Sequence, residues 1–450
     1  MLSKRPNILF IMDDQHRFDY LGCSGAEFVR TPNLDRLAAR GVRFTHCFTN
    51  APICVPARIG LATGMQPFRL SALDNNAGLP VDTPTMYKHF RDNGYRVGGI
   101  GKFDLRKYDP YNGRYGDRPV AYSWGFTHPC ECEGKMHAGS SPKPIGPYTY
   151  YLQEKGLLQQ FHADYQQRRS VGWSTAEAAR ASILPPEDFE DCYIGRKAAS
   201  WLEAVPDDFP WFLFVSFVGP HDPYDPPEPY AARYENTPVP AAGGLGEGKP
   251  RHIAQRRRTC TPEEVTFMRR RYCAAIEVID DQIGLLLAAL EKRQMVDNTI
   301  IVFTSDHGEM LGDQGLFQKN VPYEAALRVP LIFAGPGIAG DRSVDALIEL
   351  IDLNPTLCEL AGLPPQPHMD ALSFAPLLHG DSTIHRPHVI SALRHFRCIR
   401  TERYKLIENY NDITELYDLQ ADPWEQRNIA ANRKAVVNRL ARELQRRTRI

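Results

Sequence analysis

The apolar run Ile8-Leu9-Phe10-Ile11-Met12 carries no polar interruption, which predicts a strand buried on both faces of a parallel sheet. It stops abruptly at Asp13-Asp14-Gln15. Trp211-Phe212-Leu213-Phe214-Val215-Ser216-Phe217 repeats the pattern and ends at Gly219-Pro220-His221-Asp222. Asn298 to Phe303 repeats it again before Thr304-Ser305-Asp306-His307-Gly308, and Val329 to Phe333 and Val42-Arg43-Phe44 are shorter strands. Helical patterns alternate with these. Thr31 with Pro32 opens one, Thr83 to Asn93 is a second, and Asp188 to Leu202 a third. Pro262 to Arg293 is a long amphipathic helix with Ile276, Ile279, Ile283 and Leu286 at helical spacing. The segment from about 105 to 185 reads as irregular, aromatic-rich, substrate-facing loops, and 236–260 as an exposed loop. Beyond about 375 the alternation shortens into antiparallel strands, as in Cys398 to Thr401 and Tyr404 to Ile407, before a helix over roughly 433–447.

The expected fold is α/β: a large, doubly wound, mainly parallel sheet flanked by helices, with a smaller antiparallel subdomain packed by a terminal helix. A boundary near 375 divides a catalytic domain, 1–375, from a C-terminal subdomain, 376–450.

Composition narrows the class. The 450 residues are 43% hydrophobic and 24% charged, with a formal net charge of −1, so no overall field favours nucleic acid or membrane. The arginine clusters 256–258 and 269–271 lack interleaved aromatics and read as solvated faces. No apolar stretch is long enough to span a bilayer. Met1 to Arg5 runs directly into the first strand without a cleavable apolar leader; the ten cysteines need not be paired, and Cys130-Glu131-Cys132 is too tight for a zinc pair and has no second pair at matching spacing. A cytoplasmic protein with free thiols is expected.

The stretch around Asn50 to Gly64 then matters most. Pro56 fits a first helical turn, which puts Cys54 at the helix N-terminus, facing free N–H groups and the positive end of the dipole. Alone, such a cysteine reads as a buried thiol. But ligands of doubly wound sheets bind at the carboxyl ends of the strands, and here those ends carry Asp13, Asp14, Lys102, His221, Asp306 and His307. Three carboxylates would repel one another without a divalent, oxygen-loving cation, Ca²⁺ or Mg²⁺, and His307 leaves Mn²⁺ open. Arg58, Lys102, Lys319 and His221 are donors suited to a tetrahedral oxyanion and its departing oxygen. Together they fit hydrolysis of a sulfate, phosphate or phosphonate ester.

These residues resemble the type I sulfatases of the alkaline phosphatase superfamily. The fingerprint Cys-x-Pro-x-Arg stands here as Cys54-Val55-Pro56-Ala57-Arg58, followed by Thr63-Gly64. Gly94-Tyr95 through Gly101-Lys102-Phe103, Gly219 to Tyr224, Ser305 to Glu309, Lys319 with Tyr323-Glu324, and Glu415 to Leu419 with Asp422-Pro423 match further blocks. The resemblance implies that a formylglycine-generating enzyme converts Cys54 to Cα-formylglycine, whose hydrate attacks sulfur and then expels sulfate. It implies Asp13, Asp14, Asp306, His307 and the modified Cys54 as ligands of one metal ion, Ca²⁺ foremost. Arg58 would orient the diol, Lys102 and Lys319 would bind sulfate, and His221 or Lys319 would protonate the leaving oxygen. The substrate implied is a small-molecule or saccharide sulfate ester, with a phosphonate monoester or phosphodiester as the alternative.

Two positions depart from the common pattern. Asp104 stands where most members have histidine, and a carboxylate there serves as a base, as structure, or as the mark of a different ester. His307 stands where many have asparagine; the Asp-His pair found here is common in the choline-sulfatase-like and phosphonate monoester hydrolase branches. Asn75, in Asp74-Asn75-Asn76-Ala77, resembles a substrate-reaching asparagine of choline sulfatases, though its type also suits a turn.

Overall fold

The computed structural model describes residues 5–448. Met1 to Lys4, read above as part of the lead into the first strand, lie outside the described residues.

A nine-stranded sheet forms the centre of the larger part. Its strands are β1 (Asn7–Asp14), β2 (Gly41–Phe48), β3 (Arg96–Gly101), β4 (His128–Glu131), β5 (Trp211–Pro220), β6 (Thr299–Ser305), β7 (Arg328–Ala334), β8 (Arg342–Val344) and β9 (Ile348–Glu349). The order is β4-β3-β5-β1-β6-β7-β2-β8, with β9 also on β2. From β4 to β6 all neighbours are parallel; β7 runs antiparallel to both β6 and β2. The carboxyl ends of β3, β5, β1 and β6 therefore lie side by side along one edge.

The unbroken apolar run of β1 has a direct cause. Ile8, Phe10 and Met12 face one helical layer, with Phe90, Leu353 and Leu357, while Leu9 and Ile11 face the other, with Ile194, Ile283 and Leu286. Both faces of the strand are interior, so the period-2 alternation has no polar half.

The C-terminal sheet is antiparallel, in the order β10 (His388–Leu393), β11 (Phe396–Thr401), β12 (Tyr404–Asn409), β13 (Glu415–Asp418). One face, Ile390, Ile399, Leu406 and Leu416, is covered by Leu440 and Leu444 of the Lys434–Arg447 helix. The other face, including Val389, Cys398, Ile407 and Tyr417, packs on Met310, Val321 and Tyr323 of the larger part.

Several local expectations are corrected. The 105–185 segment is not irregular: it holds β4 and the helices Pro119–Ser123, Lys135–Ala138, Pro147–Glu154 and Leu158–Val171. The last hides from an apolar count because its inner face, Leu158, Phe161 and Tyr165, also buries the Asp164–Arg168 ion pair. Thr31 does not cap the helix Pro32–Ala39: its Oγ1 accepts from Gly22 N–H and donates to Asp35. Asp280 satisfies that helix end from a distance, accepting from the N–H groups of Asn33 and Leu34 at 3.0 and 2.9 Å. The second helix begins at Met86, where Thr85 accepts from Lys88 N–H, and a short helix, Arg251–Arg256, interrupts the 236–260 loop. The arginine clusters are not solvated faces throughout. Arg269 is buried against Asp313, and Arg256 donates to the carbonyls of Lys319 and Asn320.

His46, on β2, gives a pH signature away from the chemistry. Burial, aided by the Arg328 and Arg400 guanidiniums, pulls its pKa down to about 4. Between about pH 6.5 and 4 the unfolded chain binds a proton that the folded chain refuses, so stability falls as pH drops through that window. His46→Asn should shrink the loss in urea midpoint between pH 7 and pH 5; an unaltered loss would remove His46 from the account.

Candidate active site

Each of the four adjacent strand ends delivers one part of a single cluster. β1 ends in Asp13 and Asp14, both fully buried. β3 ends at Gly101, whose φ of +106° and lack of a side chain let the chain pass Ser216: a Cβ there would stand 1.9 Å from the Ser216 carbonyl oxygen. That passage places Lys102. β5 supplies Ser216 and leads into His221, and β6 leads into Asp306 and His307.

The helix Cys54–Thr63 completes the cluster. Ile53 enters in extended conformation, and every residue of the helix is buried. Val55 N–H, one of the groups left free at a helix start, donates to Asn75 Oδ1 at 3.0 Å. Asn75 thus braces the segment that presents Cys54.

Cys54 Sγ lies 3.3 Å from His307 Nε2 and 3.8 Å from Asp14 Oδ1. One turn on, and so on the same side of the helix, Arg58 spreads its fork across the site. Its Nε donates to Asp306 Oδ2 at 2.8 Å, Nη1 to the Lys102 carbonyl and to Ser216 Oγ at 2.6 and 2.8 Å, and Nη2 to Asp14 Oδ2 at 3.4 Å. Lys102 Nζ also donates to Asp14. Burial pushes the Asp14 carboxyl up, but Lys102, His221, Arg58 and Lys319 together hold it well below the usual range. The Cys54 thiol, raised by burial and by Asp14, is likewise drawn down by Lys102, Lys319 and Lys107.

The donor set suits a cation. Ligand atoms of Asp14, Cys54, Asp306 and His307 all lie within 4.8 Å of one another. Asp13 adjoins this group with one oxygen, Oδ2, held by His16 Nδ1 at 2.5 Å, while its buried Oδ1 has no hydrogen-bond donor. A buried carboxylate oxygen without a proton donor is costly unless a positive charge faces it.

Lys319 and His221 stand together beside Asp14, and Lys319 also acts on Cys54. Lys319 Nζ donates to His221 Nε2 at 2.6 Å and to Gln15 Oε1, and His221 Nδ1–H donates to the Asp222 carbonyl at 2.6 Å. Asp104 Oδ2 stands 3.2 Å from Lys102 Nζ and 2.6 Å from Lys107 Nζ. Against the upward push of burial, those two lysines, with Arg58, hold it ionised, well below the ordinary carboxylate range. All the residues singled out from the sequence thus border one site.

Others were missed. Gln15 N–H donates to Asp306 Oδ1 at 3.2 Å, and its amide links Lys319 to Asp222 and Glu309. Asp222, drawn to about 2 despite burial by His221 and Lys319, also accepts from Gln318 and Ser174. Ser216 receives Arg58. Gln15 and Asp222 lie inside stretches already noted, so position was their only signal. Gln15, Asp104, Gln318 and Asn320 adopt left-handed φ of +74°, +52°, +65° and +67°. Each costs about 1–3 kcal/mol, strain that clusters at sites whose side chains must be aimed.

Comparisons with known proteins show the family. The Sulfatase family profile matches residues 6–363, and a profile described as the N-sulphoglucosamine sulphohydrolase C-terminal region matches 312–449. A choline-sulfatase of Rhizobium meliloti is 31% identical, over 97% of this chain and 85% of the relative. An arylsulfatase of Clostridium perfringens is 29% identical, over 94% and 90%. The crystal structure of a phosphonate monoester hydrolase of Agrobacterium radiobacter superposes with a TM-score of 0.83 at 26% identity, over 98% of this chain and 95% of that one. The chain belongs to the sulfatase family of sulfuric ester hydrolases.

Proposed function

We propose that the protein hydrolyses an organic sulfate ester, of a small molecule or a saccharide, to an alcohol and inorganic sulfate. The observation that carries this reading is the placing of Cys54 at a buried helix start, between Asp14 and His307 and ringed by Arg58, Lys102 and Lys319. When present, Cα-formylglycine at position 54 supplies an oxygen nucleophile, and a divalent cation, Ca²⁺ ahead of Mn²⁺ or Mg²⁺, supplies charge that offsets the carboxylates. Asp13, Asp14, Asp306, His307 and residue 54 would hold that cation.

The chain's own groups do the rest. Lys102 and Lys319 bind sulfate oxygens, and Arg58 fixes residue 54 through its hold on Asp306 and Asp14. Lys319, whose Nζ proton already points at His221 Nε2, is placed with it to protonate the departing alkoxide. Asp104, kept ionised by Lys102 and Lys107, is an acceptor beside the site: its hold on Lys102 Nζ positions that ammonium, and its lowered proton affinity makes it a weak base.

We further place the domain boundary near 375 and the protein in the cytoplasm. Supporting the latter, all ten cysteines are free. Maturation would require a formylglycine-generating enzyme as a partner.

A phosphonate monoester or phosphodiester is the second reading, favoured by Asp104 in place of histidine and by the hydrolase superposition. The metal-loaded enzyme should show the higher kcat/KM on p-nitrophenyl sulfate than on p-nitrophenyl phenylphosphonate. The reverse order would overturn the sulfate reading. Mass spectrometry of the Cys54 peptide from active protein should show aldehyde; an unmodified thiol at full activity would refute the nucleophile.

A further inference from the structure

We propose that Arg394, at the tip of the β10–β11 hairpin, binds an anionic group on the alcohol portion of the sulfate ester. The preferred substrates are then esters whose alcohol carries a carboxylate or a second sulfate. This rests on the sulfate-ester reading above.

The hairpin closes in a two-residue turn, Arg394-His395, between the paired Leu393 and Phe396. That tip leaves the C-terminal sheet and lies across two segments flanking Cys54. On one side Arg394 Nε and Nη2 donate to Asp74 Oδ2 at 3.1 and 2.5 Å. The next residue, Asn75, accepts from Val55 N–H beside Cys54. On the other side His395 Nε2 donates to the Asn320 carbonyl at 3.0 Å, and Asn320 N–H in turn donates to the Pro52 carbonyl at 3.0 Å. Lys319 directly precedes that asparagine. Behind the tip, Ala392 N–H donates to the Asn50 carbonyl at 3.0 Å. Two hydrogen bonds and two chain steps link the guanidinium to Cys54, which ties the tip to the segments that present the site.

Stability does not account for Arg394. Its side chain is 71% exposed, and an exposed ion pair of this kind contributes only about 0–1 kcal/mol. Asp74 holds one edge of the guanidinium, while Nη1 has no hydrogen-bond partner among the described residues. A planar fork with a free, solvent-facing edge, fixed in orientation by a carboxylate, is suited to another carboxylate or a sulfate. The surrounding charges agree. Lys107 is a half-exposed cation beside Asp104, and Asp74, the acid in contact with Arg394, is engaged by it.

The test is a substrate preference in the metal-loaded enzyme. The kcat/KM of ortho, meta and para carboxyphenyl sulfates is compared with that of p-nitrophenyl sulfate, in wild type, Arg394→Gln and Arg394→Lys. The ratio for the best carboxylated ester should fall about tenfold or more in Arg394→Gln, through KM rather than kcat, with partial retention in Arg394→Lys. An unaltered ratio, including one in which all esters weaken together, assigns the hairpin a purely structural role and overturns the inference. Failure of the wild-type enzyme to cleave any of these sulfates overturns the sulfate reading, and this inference with it.

Discussion

Cys54→Ala should lower turnover of a sulfate ester by about 10⁴-fold or more while leaving the fold and its melting transition in place. The reason is a division of labour visible in the contacts. Cys54 points into the cluster and touches Asp14 and His307, whereas the packing of its helix comes from the apolar neighbours Val55, Ile59 and Leu61. Losing the thiol removes the group whose departure lets Cβ be oxidised to the aldehyde, and leaves that packing alone. Retained activity in Cys54→Ala would exclude every mechanism that starts at residue 54.

Arg58→Ala should act on both activity and stability. The guanidinium bonds two buried carboxylates, Asp14 and Asp306, and ties strand ends β3 and β5 together through the Lys102 carbonyl and Ser216. Removing one partner of a buried ion pair costs about 3–5 kcal/mol, because the other charge stays buried without compensation. Denaturant titration of the metal-free protein should show a loss of that size, and turnover should fall with it. Arg58→Lys should recover part of the stability but little of the activity, since an ammonium lacks the fork that reaches both carboxylates at once. A wild-type midpoint in Arg58→Ala would show that the carboxylates repel less than their spacing implies.

The central sheet was legible because β1, β5 and β6 are buried on both faces, and an unbroken apolar run of strand length fits few places besides a sheet interior. The site was legible for a related reason. A charged residue directly after such a run has nowhere to go but the sheet edge, so Asp14, His221 and Asp306 declared themselves by position. The segment 105–185 was not, because the Leu158–Val171 helix hides an ion pair on its inner face and breaks the apolar spacing. Gln15 was passed over because a neutral amide after two aspartates carries no charge signal, yet its backbone and side chain bridge Asp306, Lys319, Asp222 and Glu309. Thr31 illustrates the opposite error. The residue type was right for a cap, but Asp280, far away in the chain, reached the helix end first.

The enclosure of Cys54 also sets a timetable. Its thiol has no exposure, and the whole helix around it is packed on all sides. An enzyme that must grip this segment and oxidise one carbon cannot do so once the chain has closed over it. Under the proposed chemistry, competence is therefore decided during synthesis, in the interval before the helix docks. A batch made where the oxidising enzyme is scarce would be a mixture of two permanently different populations, one active and one inert, alike in fold and melting behaviour, and no later incubation would convert one into the other.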